Sequence, residues 1–391
     1  MPRLFRYALC AFIIIAGLPA LAVSNKGKQY PCEWTEFKSA ESGCRILQLT
    51  TSPADDSGLY FTNDGFVPQE NSLVFASKRT GKWNLYYMNL TDGSFVQLTD
   101  GSVGATGAAV SPATMEAYYL ANRQIKAVNL HTYAERTLYT LPAGYFASTL
   151  SVTNDGRTVA FSVSEDIPIA SKTDKIYSDM AERFAKKPWS AVIAVKTDGG
   201  GSGWEVHREK RWFSHTLINP RDPDLILYCQ EGEWNKVPQR MWLVNSDGGA
   251  NRPLRPEEDP VVAIGHEFWL KDGLRIGYQC TTKTKGKCLG IANAQTGAYQ
   301  EYPGMNDNHM QSNSAGTLFV GDGQPKEPNL NLYRINNGRL DRTVLFRHGG
   351  SYEQQYYHPH PIFTPDDQGV FFTNNRDGNG NIYIAYLNQR N

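Results

Sequence analysis

One unit recurs along this chain: a turn rich in Asp, Asn or Gly, an alternating strand, a polar turn, a second strand, a further turn and a third strand. Ser72-Leu73-Val74-Phe75-Ala76 leads to Trp83-Asn84-Leu85-Tyr86-Tyr87-Met88, then Thr91-Asp92-Gly93, then Phe95-Val96-Gln97-Leu98. Counterparts open at Ala117-Tyr118-Tyr119-Leu120, Thr158-Val159-Ala160-Phe161, Leu225-Ile226-Leu227-Tyr228, Arg275-Ile276-Gly277-Tyr278, Thr317-Leu318-Phe319-Val320 and Gly369-Val370-Phe371-Phe372. Seven copies spaced by roughly 40 to 60 residues predict an all-β, seven-bladed β-propeller. The last copy lacks a third strand after Leu387, and Arg45-Ile46-Leu47-Gln48-Leu49-Thr50 near the N-terminus supplies it. The last blade is therefore expected to be closed by an N-terminal strand. Two sandwich domains would repeat less evenly and would leave that complementary deficit unexplained. Residues 23–391 are thus read as one propeller domain.

Residues 1–22 read as a signal peptide. Arg3 and Arg6 precede the apolar run from Tyr7 to Leu18, and Ala20-Leu21-Ala22 offers a small-x-small cleavage site. A membrane anchor is the alternative, but the run falls short of the ~20 apolar residues a span needs. The expectation is a secreted or periplasmic protein without stable membrane insertion. Lysine plus arginine total 39 and aspartate plus glutamate total 39. That balance argues against a nucleic-acid partner, which calls for a basic excess.

Loss of the signal removes Cys10. Cys32 with Cys44, or Cys280 with Cys288, can bridge in an oxidising compartment, while Cys229 reads as a buried free thiol. The one helical stretch, Lys175 to Lys187, carries Ile176, Met180 and Phe184 four residues apart. It falls between strands of the third copy and is expected as a short helical insertion over one face of the ring.

Eight histidines are present. His131, His207 and His348 read as surface or loop residues. His215 precedes the fourth copy, His266 the fifth, and His358 and His360 the seventh. Equivalent points of all blades face one central region, so these four are expected to converge although they lie far apart in the chain. His309, before the sixth copy, is in phase too and is expected as a secondary or substrate contact. In Gln355-Tyr356-Tyr357-His358-Pro359-His360 an extended backbone would turn both imidazoles to one side, with the Gln355 carbonyl oxygen beside them. Three imidazoles and an amide oxygen suit a divalent transition ion, with Mn²⁺, Fe²⁺, Ni²⁺ and Zn²⁺ all admissible. The plainer alternative is a solvated channel that histidines merely line.

The mature chain resembles the oligogalacturonate lyases, polysaccharide lyases with a seven-bladed propeller fold. The resemblance rests on Lys26-Gly27-Lys28-Gln29, Trp83-Asn84-Leu85-Tyr86-Tyr87, Glu231-Gly232 and Arg240-Met241-Trp242-Leu243-Val244-Asn245. It continues through His266-Glu267-Phe268-Trp269, Ser312-Asn313, Gly321-Asp322-Gly323 and His358-Pro359-His360-Pro361. It implies a metal, usually manganese, held by His266, Gln355, His358 and His360, and a general base at His215. It also implies β-elimination on a short oligosaccharide containing uronic acid, of the kind released from pectin. Arg240, Glu231 and His309 are candidate substrate contacts. The chain departs from the family pattern at three places. Ala191 stands where the family has an arginine, Ser57-Gly58 where it has His-Arg, and Gln230 where it has a histidine. Those departures favour a different uronate glycan, such as one with glucuronate, or a non-catalytic propeller that binds sugars or proteins.

Overall fold

The computed structural model describes residues 24–101, 103–104, 107–173, 175, 177–199, 203–256 and 263–387. The expected signal segment and Ile176 lie outside them. Seven antiparallel sheets follow one another along the chain, each forming one blade. The alternating strands set this up, because side chains at every second position pack against the neighbouring blade on either side. Six apolar clusters sit largely between successive blades. One joins Val74, Leu85 and Leu98 to Ala117 and Val128, and another joins Leu227 and Leu243 to Ile276 and Tyr278. The core is therefore a ring of seams rather than one central mass.

Closure follows the expected device. The strand Arg45–Gln48 pairs with Asn381–Tyr386 in the last blade, with Ile46 opposite Ala385 and Leu47 opposite Ile384. Thr35–Lys38 adds a further strand outside it, and Gln29–Tyr30 extends the first blade by pairing with Phe95–Gln97. Residues from one chain end thus complete two adjacent blades.

Each unit holds more than the three expected strands. A short innermost strand precedes it, among them Ala109–Ser111, Phe213–Ile218, Ala263–Trp269, Met310–Ser312 and Ile362–Phe363. These segments lack a long alternating pattern because both of their faces meet protein near the axis, so alternation alone does not mark them.

The insertion in the third blade is present, but its helix runs only over Met180–Lys186. Phe184 packs on Gly232, where a side chain would come within 2.2 Å of the ring, which explains why glycine follows Glu231. Cys280 and Cys288 form a disulfide across paired strands. The other candidate pair does not bridge, since Cys32 is exposed and free and Cys44 is buried and free; Cys229 is a buried free thiol as expected. His348 is a correction. It is fully buried, with Nε2 against the Asp322 carbonyl at 3.1 Å. His131 is exposed, and His207 is partly buried and stacks on Phe213. Among the described residues, no helix is long and apolar enough to cross a membrane.

Because Ile46 is fully buried in the closing strand, Ile46→Ala should lower unfolding free energy by about 2–4 kcal/mol. Thr35→Ala, on the exposed outer strand, should change it by less than about 0.5 kcal/mol. Urea midpoints of the two variants test this, and equal midpoints would show that the closing strand carries no special weight.

Candidate active site

The innermost strands aim their histidines through irregular backbone. His215 lies at a register shift between Ser214 and Leu217, and His266 at one between Gly265 and Phe268. Both adopt left-handed φ values, 46° and 54°, and His360 does the same at 44°. A bulge bends its strand and redirects a side chain, and such backbone persists only where its surroundings enforce it. The same device thus turns residues of two different blades toward the axis. The Gln355–Tyr357 segment is a 3₁₀ turn, not the extended strand expected for it. His358 and His360 still face one another, with ring centroids 5.6 Å apart.

His309 sits at the centre of the group. Its ring is 4.2 Å from that of His266, 4.5 Å from His360 and 5.4 Å from His358. Each imidazole has one nitrogen engaged. His309 Nδ1 donates to Asp322 Oδ2 at 2.6 Å, and His266 Nδ1 to Gln279 Oε1 at 2.7 Å. His358 Nε2 donates to the Tyr352 carbonyl at 3.1 Å, and His360 Nε2 lies 3.1 Å from the Gln355 side-chain amide. The second nitrogens of His309, His358 and His360 are buried and have no protein partner. One donor atom from each lies within 4.8 Å of the others. Neutral imidazoles whose outer nitrogen donates to a fixed acceptor, as in His309, His266 and His358, present the other nitrogen's lone pair inward, which is how metal-ligating histidines are held. His360 Nε2 instead accepts from the Gln355 amide. The donor set therefore fits a divalent cation. Burial keeps these rings neutral: it pushes His266 down to about 4, and His309 and His360 well below the usual histidine range.

Beside this group, His215 Nδ1 donates to Glu267 Oε2 at 2.9 Å. Glu267 is fully buried and also accepts from Arg240 Nε at 2.5 Å. Arg240 spans from Glu267 to Glu231, which it meets at 2.7 Å, and Glu231 also accepts from Ser214. Burial opposes ionisation of Glu267, but the charge of Arg240 and the hydrogen bond from His215 outweigh it and hold the carboxyl well below its ordinary value. With Nδ1–H committed to that carboxylate, His215 keeps its Nε2 lone pair for the cavity. Tyr60 Oη lies 3.4 Å from that nitrogen. Arg240 and Glu231, expected as substrate contacts, line the adjoining cavity, are buried, and form a chain of ion pairs with Glu267 beneath His215.

The cavity above holds about 230 Å³ and is lined by Tyr60, Tyr177, Met180, His215, Glu231, Trp234, Arg240, His266 and Gln355, with Thr149 at its edge. A second cavity of about 200 Å³, around Asn63, Asp64, Asn154 and Lys271, contains none of the histidines. Tyr60-Phe61 reaches in from the first blade and touches four of the five central imidazoles: the Tyr60 ring is 4.9 Å from His360, and the Phe61 ring 5.2 Å from His309. No motif marks those two aromatic residues in the sequence. Glu267 and Asp322 were visible as neighbours of a candidate histidine and of a Gly-Asp-Gly turn, but their roles were not.

The three departures are structural positions here. A side chain on Gly58 would strike Phe371 at 2.6 Å, and Ser57 is fully buried. Ala191 is buried in its strand opposite Arg208. Gln230 bonds Glu209 and Arg211. Possible replacement cations are drawn elsewhere: Arg183 pairs with Asp179, Lys186 with Glu182 and Lys236 with Glu233.

The fold is a seven-bladed propeller with a buried nest of imidazoles at its axis and one further histidine held on a carboxylate, a donor set suited to a divalent cation beside an open cavity. The family model described as oligogalacturonate lyase matches residues 24–390, and the chain belongs to that family. An oligogalacturonide lyase of Pectobacterium atrosepticum is 27% identical over 388 residues, covering 92% of this chain and 97% of that one. An oligogalacturonate lyase of Dickeya dadantii is 27% identical over 386 residues. Among solved structures, an oligogalacturonate lyase in complex with manganese superposes with a TM-score of 0.86 at 27% identity, covering 93% of this chain and 99% of that one. One from Vibrio parahaemolyticus gives 0.85 at 26% identity over the same shares.

The buried neutral histidines make stability depend on pH. Their folded values lie below the ordinary histidine value near 6.5, so between about 6.5 and 4 the unfolded chain binds more protons than the folded one. Stability of the metal-stripped protein should therefore fall as pH drops through that window, by up to about 1.4 kcal/mol per pH unit for each such histidine. Urea denaturation at pH 7.5, 6 and 5 checks the sign; a flat profile would contradict buried neutral rings.

Proposed function

We propose that this chain is an exported, metal-dependent lyase that cleaves short uronate oligosaccharides by β-elimination, with His215 as the base. The observation that carries the reading is a carboxylate-held His215 on the same cavity as His266, whose ring packs on the cluster of His309, His358 and His360. Export rests on the basic and apolar pattern of residues 1–22. The substrate class follows from the family and from the relatives' names, which refer to oligogalacturonides.

The residues that would hold the cation are His266, Gln355, His358 and His360, with the unpartnered His309 Nε2 facing the same space. Manganese is the ion proposed, as it is the one in the solved relative. When bound, a divalent cation stabilises negative charge that develops on the sugar carboxylate. His215 takes the C5 proton at Nε2 while Glu267 keeps its ring in one tautomer and one orientation. The C5–H electrons form a C4=C5 double bond, the C4–O bond breaks, and the departing oxygen takes a proton from water, after which His215 returns its own proton to solvent. Arg240 keeps Glu267 ionised and in place, and Glu231 anchors Arg240. No covalent enzyme intermediate is needed.

The unsaturated product absorbs in the ultraviolet, so its release gives a direct assay on uronate oligomers. Chelation should abolish the absorbance rise and Mn²⁺ should restore it. His215→Ala should lower kcat by roughly 10²- to 10⁴-fold. Full activity in His215→Ala, or indifference to chelation, would remove this mechanism. Glu267→Gln retains the shape but removes the charge, and kcat should fall with little change in KM.

A further inference from the structure

Large exposed apolar side chains are few among the described residues: Tyr177, Trp189, Trp234, Leu274 and Tyr299. Two of these five, Tyr177 and Trp234, lie on the same cavity, the one that contains His215 and His266. They arrive from different blades. Tyr177 belongs to the insertion of the third blade, just before the helix Met180–Lys186, and holds a left-handed φ of 65°. Trp234 stands on the loop between Leu225–Gln230 and Met241–Asn245 of the fourth. Their rings meet edge to face at 5.9 Å, and Trp234 lies 6.2 Å from the His266 ring. Two aromatic faces left in water beside a reaction cavity, with a third of their area or more exposed, are costly unless a ligand covers them.

The charges nearby restrict that ligand. Among the described residues lining the cavity, Arg240 is the one guanidinium or ammonium group. It is 2% exposed and divided between two carboxylates. Aromatic faces carry the negative side of their quadrupole and attract cations, so they offer a carboxylate nothing. Glu231 on the same wall adds repulsion. The C–H face of an uncharged pyranose suits such a surface, while its hydroxyls remain free for water.

We infer that Tyr177 and Trp234 form a stacking subsite for a neutral sugar linked to the reacting uronate, so that the preferred substrate is a mixed glycan rather than a continuous uronate chain. This rests on the uronate-lyase reading above.

The test uses the full chain with Mn²⁺ and two matched trisaccharides joined by 1→4 bonds. Each has a central galacturonate, flanked on both sides either by galactose or by galacturonate. The galactose-flanked compound should be cleaved with kcat/KM at least about 10-fold higher. Trp234→Ala and Tyr177→Ala should each reduce that value by roughly 3- to 10-fold, mainly through KM, and narrow the preference. Equal or faster cleavage of trigalacturonate overturns the subsite and leaves the lyase reading standing. A galactose preference untouched by both variants also overturns it. Calorimetry with His215→Ala separates the two ideas: binding of the galactose-flanked compound without cleavage by wild type supports the subsite and removes the lyase reading. Neither binding nor cleavage of either compound overturns both.

Discussion

The closing of the ring by Arg45–Gln48 against Asn381–Tyr386 is the constraint from which the rest follows. A propeller blade has no independent core: its apolar side chains are buried only by the blade on each side. Seven such seams must all be satisfied at once, and the last can form only when the two chain ends share a sheet. Once that happens, the innermost strands are held at a common distance from the axis. Histidines far apart in sequence then occupy one small volume, which no local structure could achieve.

Within that volume the chemistry is divided by what stands behind each ring. His309 and His266 are backed by Asp322 and Gln279, and His358 by a backbone carbonyl. These partners fix which nitrogen faces inward. His215 is backed by a charged group that is itself balanced by Arg240. The first arrangement gives neutral donors turned toward a common point. The second gives one imidazole in a defined tautomer at the edge of the open cavity. The buried Glu231–Arg240–Glu267 chain is tolerable because every charge in it has an opposite neighbour within hydrogen-bond distance.

The cavity rim differs in construction from the imidazole nest. Of the nest, His266 lies in an innermost strand, while His309, His358 and His360 lie in the segments leading into Met310–Ser312 and Ile362–Phe363, and Tyr60 and Phe61 pack against it. The rim draws on a loop and on the insertion, through Trp234 and Tyr177. Gly58, which does not line that cavity, has the Phe371 ring in the space a side chain would need.

Much of this was legible in the residue order. Seven alternating units, a missing last strand and its counterpart at Arg45–Thr50 were enough to determine the architecture, because strand periodicity is a local property. The shared phase of His215, His266, His309, His358 and His360 was equally readable. Tertiary structure alone decided the central position of His309, the bulges that turn His215 and His266, the burial of His348 and the absence of a Cys32–Cys44 bridge. It also placed Arg240 and Glu231, expected as substrate contacts, in the ion-pair chain that reaches His215 through Glu267. Each of these depends on which side chain from another blade occupies the adjacent space, and repeat spacing carries no information about that.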